Sequence, residues 1–334
     1  MIKIAIDFGS SVTKIYRADT NNGIVLAEPS CVAVVGEENQ IRAIGKEAKN
    51  LIGKTSEYTN IYYPIQSGEI VDMPLAVAML KEFLLRIGVK GGLLRRTQAL
   101  FSVPCGANER VLAGYRALVE ECGLKKACFV EQPYLAALGA GVVIEGDPVF
   151  CLDIGGGVSN AAVVSADGLI SGLSINVGGN NMDYDVIAKI AEEKQLYIGA
   201  LTAERVKIEI ASLERTARGS VLAEGSSTET YQPASIAVQA DEITDCVKNH
   251  VRKICDYAVA VLWNLPAEVA AAVNRNGVYL SGGILKIPGV GQYIAERLNM
   301  RRHVCEEPQF TTVLGGGVLL QEKSLLHRFS KKFD

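Results

Sequence analysis

The chain has 334 residues, 49% of them apolar and 21% charged, with a net charge of −3. At roughly 100–200 residues per domain this length suggests two domains, and the apolar content is ample for their cores, which excludes general disorder. A chain so close to neutrality has no global field for holding nucleic acid, so any anion site must be local, built from backbone N–H groups and a few side chains.

The first seven residues alternate, meet an acid at once and have no small-residue cleavage site, so they read as a strand and not as a signal peptide. Ile4-Ala5-Ile6 is a buried strand running into Asp7-Phe8-Gly9-Ser10-Ser11, and a second strand from Lys14 to Arg17 completes a β-hairpin. Asp72 and Pro74 open an apolar helix through Leu85, stopped by Gly88. Asn108 caps a helix that places Val111, Leu112, Tyr115, Leu118, Val119 and Cys122 on one face, closed by Gly123. The strand Cys128-Phe129-Val130 leads to Glu131-Gln132-Pro133, and Pro133 opens a short helix from Tyr134 to Leu138. Val149 to Leu152 then runs into Asp153-Ile154-Gly155-Gly156-Gly157, followed by strands from Ala161 to Val164 and from Leu169 to Asn176. Thr202 caps a helix to Leu213, and the Gly/Ser-rich stretch 218–233 is expected as an exposed hairpin. A long amphipathic helix from Ile243 to Leu265 stops at Pro266, and Val278-Tyr279-Leu280 is a buried strand entering Ser281-Gly282-Gly283. The mixture means an α/β fold.

The two strand–Asp–x–Gly–hairpin units lie 146 residues apart and suggest two related domains that open with the same device. The eight cysteines include no C-x-x-C pair and no His at zinc-finger spacing, so they read as buried, reduced thiols of a cytosolic protein. The most apolar late stretch, Tyr257 to Leu265, is too short to span a bilayer.

The chemistry sits at the glycine turns. The backbone N–H groups of Asp7-x-Gly9-Ser10 can converge on a phosphate, and an Asp there suits Mg²⁺ held through water. Lys14 adds a point charge. Read alone, this is equally a polar hairpin turn. Asp153-x-Gly155-Gly156-Gly157 repeats it with three glycines, whose entropy cost implies close approach to that backbone. Facing each other, the two turns would clamp a polyphosphate, with Asp7 and Asp153 as outer-sphere partners of one Mg²⁺. Ser281-Gly282-Gly283-Ile284 offers a flat surface for an adenine. Glu204 and Lys207 share a helix face, and in isolation read as a solvent-exposed ion pair. Gln132 can orient a water, or merely satisfy N–H groups at the helix start.

The ordered set Asp7-Phe-Gly-Ser, Glu131-Gln-Pro, Asp153-Ile-Gly-Gly-Gly, Thr202-Ala-Glu-Arg-Val-Lys207 and Ser281-Gly-Gly resembles the actin-like ATPase superfamily. Within it the chain resembles the MreB family of bacterial actins, over essentially its whole length. The resemblance implies an actin-like fold of two related RNase H-like domains around an ATP cleft. These would be residues 1–143, with a small subdomain at about 31–64, and 144–334, with one at about 181–240. It implies Asp7, Gly9, Ser10 and Ser11, with Lys14, as the first phosphate loop, and Asp153, Gly155, Gly156 and Gly157 as the second. Gln132 falls at the water-activating position, with Asp7 and Asp153 beside it as catalytic carboxylates. Glu204 and Lys207 would hold ribose and adenine, and Gly282, Gly283 and Ile284 would form the adenosine motif. Three departures point toward eukaryotic actin: Gln132 in place of Glu, Gly157-Val158-Ser159 in place of Gly-Thr-Thr, and Lys14 itself.

The function so implied is a filament-forming ATPase using ATP and Mg²⁺, cytoplasmic and peripheral at the inner membrane face. It would act in cell shape and wall elongation, with itself, the membrane and elongation proteins as partners and no nucleic acid. A plasmid- or organelle-positioning ATPase and a non-polymerising nucleotide-binding assembly adaptor are the alternatives. The loop Gly91-Gly92-Leu93-Leu94-Arg95-Arg96 matches the family's membrane loop in position. Its leucines either insert beside the arginines or fold back on the domain. Leu325, Leu326, Phe329 and Phe333, with Arg328, Lys331 and Lys332, have the spacing of a terminal amphipathic helix, expected to pack on its own domain.

Overall fold

The computed structural model describes residues 2–20, 23–36, 40–54, 58–143, 146–216, 218–322 and 324–326. Its frame is a pair of five-stranded sheets with one plan. In the first sheet Lys3–Phe8 is central. On one side it pairs antiparallel with Val12–Arg17, which pairs with Ile24–Pro29, and on the other it runs parallel to Gln98–Val103 and then Lys126–Glu131. In the second, Val149–Ile154 is central. Antiparallel Ser159–Ser165 and Gly168–Ile175 lie on one side, with parallel Val278–Ser281 and Arg302–Val304 on the other. The repeat read from the two Asp–Gly units is therefore a repeat of whole domains. Buried strands flanked by parallel neighbours on one side and a hairpin on the other leave each Asp at the carboxyl end of a central strand, where open α/β sheets hold their ligands.

Each sheet has its own apolar core. Ile4, Ile6, Phe8, Phe83, Phe101 and Tyr115 anchor the first, and Phe150, Leu152, Val163, Val247, Val251 and Leu280 the second. A third cluster lies between them, where the helices Gln132–Gly139 and Thr311–Gln321 bring together Tyr134, Leu135, Leu138, Leu319 and Leu320. Leu325 and Leu326 are buried in this cluster, as expected of a tail packed on the protein, while Arg328, Phe329, Lys331, Lys332 and Phe333 lie outside the described residues. Two three-stranded sheets stand off the main frame: Val32–Val35 with Gln40–Ile44 and Thr59–Tyr62, and Leu196–Tyr197 with Ser220–Ser227 and Pro233–Gln239.

Local signals act as read, with shifted edges. The Asp72 carboxylate accepts the Leu75 N–H at 3.0 Å and opens the helix Met73–Arg86, and Asn108 accepts the Val111 N–H at 3.0 Å and opens Glu109–Glu121. The helix expected from Thr202 to Leu213 spans Ala200–Ile210, with Gly199 as its cap. It stops early because Ala211 is extended and the Leu213 N–H is taken by the Pro288 carbonyl at 2.8 Å. The Gly/Ser-rich stretch does form a hairpin, but Ser220, Gly225, Ser226 and Ser227 lie in the strand Ser220–Ser227 and the turn comes later. Seven cysteines are buried and Cys305 is half-buried, all with free thiols. Burial pushes Cys31 up to about 11 and Cys105 and Cys128 up to about 12, so these thiols stay protonated and unreactive. Among the described residues no helix is long and apolar enough to cross a membrane.

Candidate functional site

The two aspartates occupy equivalent places. In the hairpin of each domain Asp7 pairs with Lys14 and Asp153 with Asn160. Each carboxylate also accepts a hydroxyl from the neighbouring parallel strand, Ser102 Oγ to Asp7 Oδ1 at 2.8 Å and Ser281 Oγ to Asp153 Oδ1 at 2.6 Å. The symmetry breaks in charge. Lys14 Nζ lies 2.8 Å from Asp7 Oδ2 and neutralises it, whereas Asp153 faces a neutral amide. Burial pushes the Asp153 carboxyl above the usual carboxylate range, the Ser281 bond opposes that shift, and the charge of Asp7 adds to it. A buried carboxyl short of positive charge is a place where a cation would be welcome.

The glycines of the second turn are explained by what faces them. A Cβ on Gly157 would lie 2.7 Å from Ser10 Oγ, and one on Gly156 would lie 2.8 Å from Ser11 Cβ. The two turns therefore close on each other directly, as two facing halves of a clamp must. Ser10 Oγ accepts the Gly68 N–H at 3.2 Å, and Ser11 Oγ donates to Asn180 Oδ1 at 2.8 Å, which joins the two domains at the cleft floor. Beside them opens a cavity of about 300 Å³, whose lining includes Ser10, Ser11, Gly157, Asn180, Lys49 and Glu204.

Gln132 is the first residue of its helix and is buried against this junction. Its Nε2 lies 3.5 Å from Asp7 Oδ1, and its Oε1 accepts from Asn160 Nδ2 at 2.7 Å. The neighbouring Glu131 accepts the Gly106 N–H at 2.8 Å instead. Of these two adjacent residues, Gln132 is thus the one beside Asp7.

Glu204 and Lys207 do not pair with each other, which corrects the reading of them as an isolated surface pair. Glu204 Oε2 meets Lys49 Nζ at 2.5 Å across the cleft mouth. Lys207 is buried, lies 2.7 Å from Asp183 Oδ1 and donates to the Gly179 carbonyl at 2.9 Å. Ile284 is buried with its Cδ1 against Gly179, so Lys207, Gly179 and Ile284 make one wall. Gly282 is wedged against Ile154, while a side chain on Gly283 would meet open space, so Gly283 is the exposed part of the third glycine turn. The adjacent leucines also split. Gly91–Arg96 is a 3-10 turn on which Leu93 is 41% exposed, beside Lys90, Arg95 and Arg96, whereas Leu94 packs on the first core.

Sequence reasoning missed Ser102, Asn160, Asn180, Asp183 and Lys49. The first two carried a signal, being polar residues inside buried strands. Asn180 and Lys49 become visible only when the two domains are brought together, and Asp183 only when its helix is packed against that of Lys207.

The sequence profile of the MreB/Mbl protein family matches residues 1–328. The chain belongs to the MreB/Mbl family. The cell shape-determining protein Mbl of Bacillus subtilis (strain 168) is 31% identical over 325 residues, covering 97% of each chain. The cell shape-determining protein MreB of Escherichia coli (strain K12) is 29% identical over 330 residues, covering 95% of this chain and 93% of that one. The crystal structure of MreB5 of Spiroplasma citri bound to AMPPNP superposes with a TM-score of 0.91 at 28% identity, over 99% of this chain and 98% of that one. The MreB/Mbl membership and the superposition establish the actin-like fold and a homologue of the cell shape-determining bacterial actins.

Proposed function

We propose that this chain binds Mg²⁺-ATP between its two domains, hydrolyses it, and assembles with copies of itself into filaments at the inner membrane face that guide cell shape and wall elongation. The observation that carries this reading is the pair of Asp–Gly turns closing on each other with Gln132 at their junction. That the MreB5 of Spiroplasma citri was solved with AMPPNP and with ADP supports a nucleotide as the ligand. We place the domain division between residues 143 and 144, with one of the three-stranded sheets in each small subdomain.

The backbone N–H groups of Gly9, Ser10, Gly155, Gly156 and Gly157, with the Ser11 hydroxyl, would grip the phosphates. Among the described residues no three acidic, His or Cys side chains converge as a direct metal cage. The buried Asp153 carboxyl, short of a cationic partner, fits an ion held through its waters and the phosphates, with Asp7 on the other side. Bound there, Mg²⁺ would neutralise phosphate charge. Lys14 would keep Asp7 oriented. Gln132 would hold the attacking water, and its amide cannot take a proton as a carboxylate would. That suffices, because phosphoryl transfer depends mainly on positioning and charge stabilisation. Glu204, its Oε2 kept on Lys49, would turn its other carboxylate oxygen to the ribose hydroxyls, Lys207 and Ile284 would back the adenine, and Gly283 would lie under it. Leu93, among Lys90, Arg95 and Arg96, would insert into an anionic membrane; Leu94 would hold the turn to the domain.

Sedimentation and negative-stain microscopy with ATP, Mg²⁺ and anionic liposomes test the proposal. The wild type is expected to pellet as filaments, Asp153→Ala to stay in solution, and Gln132→Ala to polymerise but release phosphate much more slowly. Nucleotide binding without any polymer would favour the assembly-adaptor alternative and overturn the filament reading.

A further inference from the structure

We infer that Asn160 is the positioning residue for Gln132, deciding which end of the Gln132 amide faces the cleft. The inference rests on the reading of Gln132 as the water-orienting residue and adds to it. Asn160 is fully buried on the strand Ser159–Ser165 of the second domain, where it also bonds Asp153, while the Cys105 N–H and the Gln132 amide it meets belong to the first. Its Oδ1 accepts the backbone N–H of Cys105 at 2.9 Å. A backbone N–H can only donate, so the oxygen of the Asn160 amide must point to it and the NH₂ must point the other way. That NH₂ meets Gln132 at 2.7 Å, so Gln132 has to present its oxygen there. The Gln132 Nε2 is left facing Asp7 Oδ1, and an ionised carboxylate can only accept.

The relay runs from Cys105 N–H through Asn160 and Gln132 to Asp7, and both of its ends are fixed chemically. Neither amide can flip without setting two donors or two acceptors face to face. The result is a Gln132 that offers a donor to the cleft. It can hold a water or a phosphate by an N–H, and its acceptor end is already engaged by Asn160. In the repeat, Asn160 stands opposite Asp153 where Lys14 stands opposite Asp7. A lysine at 160 could not accept from Cys105, so the second domain carries at this position a residue that both donates and accepts.

Two variants, Asn160→Ala and Asn160→Leu, test this in the full chain, so that either one suffices if the other fails to fold. Phosphate release is measured at saturating ATP, and affinity by titration with a fluorescent ADP. The turnover is expected to fall about tenfold, the loss of one buried hydrogen bond at the reacting centre, with nucleotide affinity within about twofold of wild type. In the Gln132→Ala background the same substitution should cause no further loss, since Asn160 acts through Gln132. Turnover within twofold of wild type in a folded Asn160 variant overturns the inference. So does a loss of turnover and affinity together, or an additive loss in the double variant. A wild-type rate in Gln132→Ala itself defeats the underlying reading of Gln132, so the two failures are told apart.

Discussion

Gly282→Ala should damage the protein far out of proportion to one methyl group. Gly282 has φ +97° and ψ 159°, a region that is essentially closed to residues with a side chain. An added Cβ would also run into the Ile154 backbone, reaching 2.5 Å from its carbonyl carbon and 2.7 Å from its nitrogen. The conformational term costs about 1–3 kcal/mol and the forced displacement of packed backbone about as much again, so a loss of about 2–6 kcal/mol is expected. The strain falls where it matters, because Ile154 follows Asp153 and Ser281 precedes Gly282. Pushing the strands apart stretches the 2.6 Å bond from Ser281 to Asp153. Gly283→Ala is the control: its Cβ would meet nothing within 4 Å. Stability should change by only about 0.5 kcal/mol, while nucleotide affinity falls if an adenine lies on that glycine. Urea unfolding followed by circular dichroism, with a nucleotide titration on each variant, measures both. Equal unfolding midpoints for wild type and Gly282→Ala, or a larger loss in Gly283→Ala, would refute the reasoning.

Three further outcomes follow from the site. Asp153→Asn should raise the melting temperature of the nucleotide- and Mg²⁺-free protein while abolishing ATP-dependent assembly. The carboxyl binds its proton more tightly in the folded chain than in the unfolded one, so above the unfolded carboxylate range its ionisation opposes folding. That penalty fades as pH falls through the raised value, so the advantage of Asn should shrink toward acid pH; a lower melting temperature at pH 8 counts against it. Lys49→Met should speed release of a fluorescent ADP about two- to fivefold at low salt, the effect of one partly exposed ion pair across the cleft mouth. An unchanged rate removes Lys49 from the account. Leu93→Ser should weaken flotation with anionic liposomes without changing stability. Leu94→Ser should instead lower the unfolding midpoint, and the opposite pattern would mean the turn is presented the other way round.

What could be read from the chain beforehand was local and repeated. The two Asp–Gly turns, the caps at Asp72 and Asn108 and the breaks at Gly88 and Pro266 are short-range signals, and each sits at an element boundary or within a residue or two of one. Helix ends governed by distant contacts are not legible in the sequence, as where the Pro288 carbonyl takes the Leu213 N–H. The three-residue spacing of Glu204 and Lys207 places both on one helix, but spacing along a helix cannot reveal that a residue 155 positions earlier, Lys49, supplies the counter-charge of Glu204. The same holds for Leu93 and Leu94, whose adjacency hides opposite exposures on a 3-10 turn. Asn160 was the informative oversight. A fully buried amide in a strand of alanines and valines must have its hydrogen bonds satisfied, which marks the residue in the sequence, while only the fold shows that its partners are Gln132 and the Cys105 N–H.

If the two facing turns jointly hold one Mg²⁺-nucleotide, neither carboxylate can be spared. Equilibrium titration with a fluorescent ATP analogue, with Mg²⁺ or with EDTA, on the wild type, Asp7→Ala and Asp153→Ala, tests it most directly. The wild type is expected to bind tightly in a way that depends on Mg²⁺, and both variants to lose that dependence. Binding equally tight in EDTA, or Mg²⁺-dependent binding that survives either substitution, would contradict it.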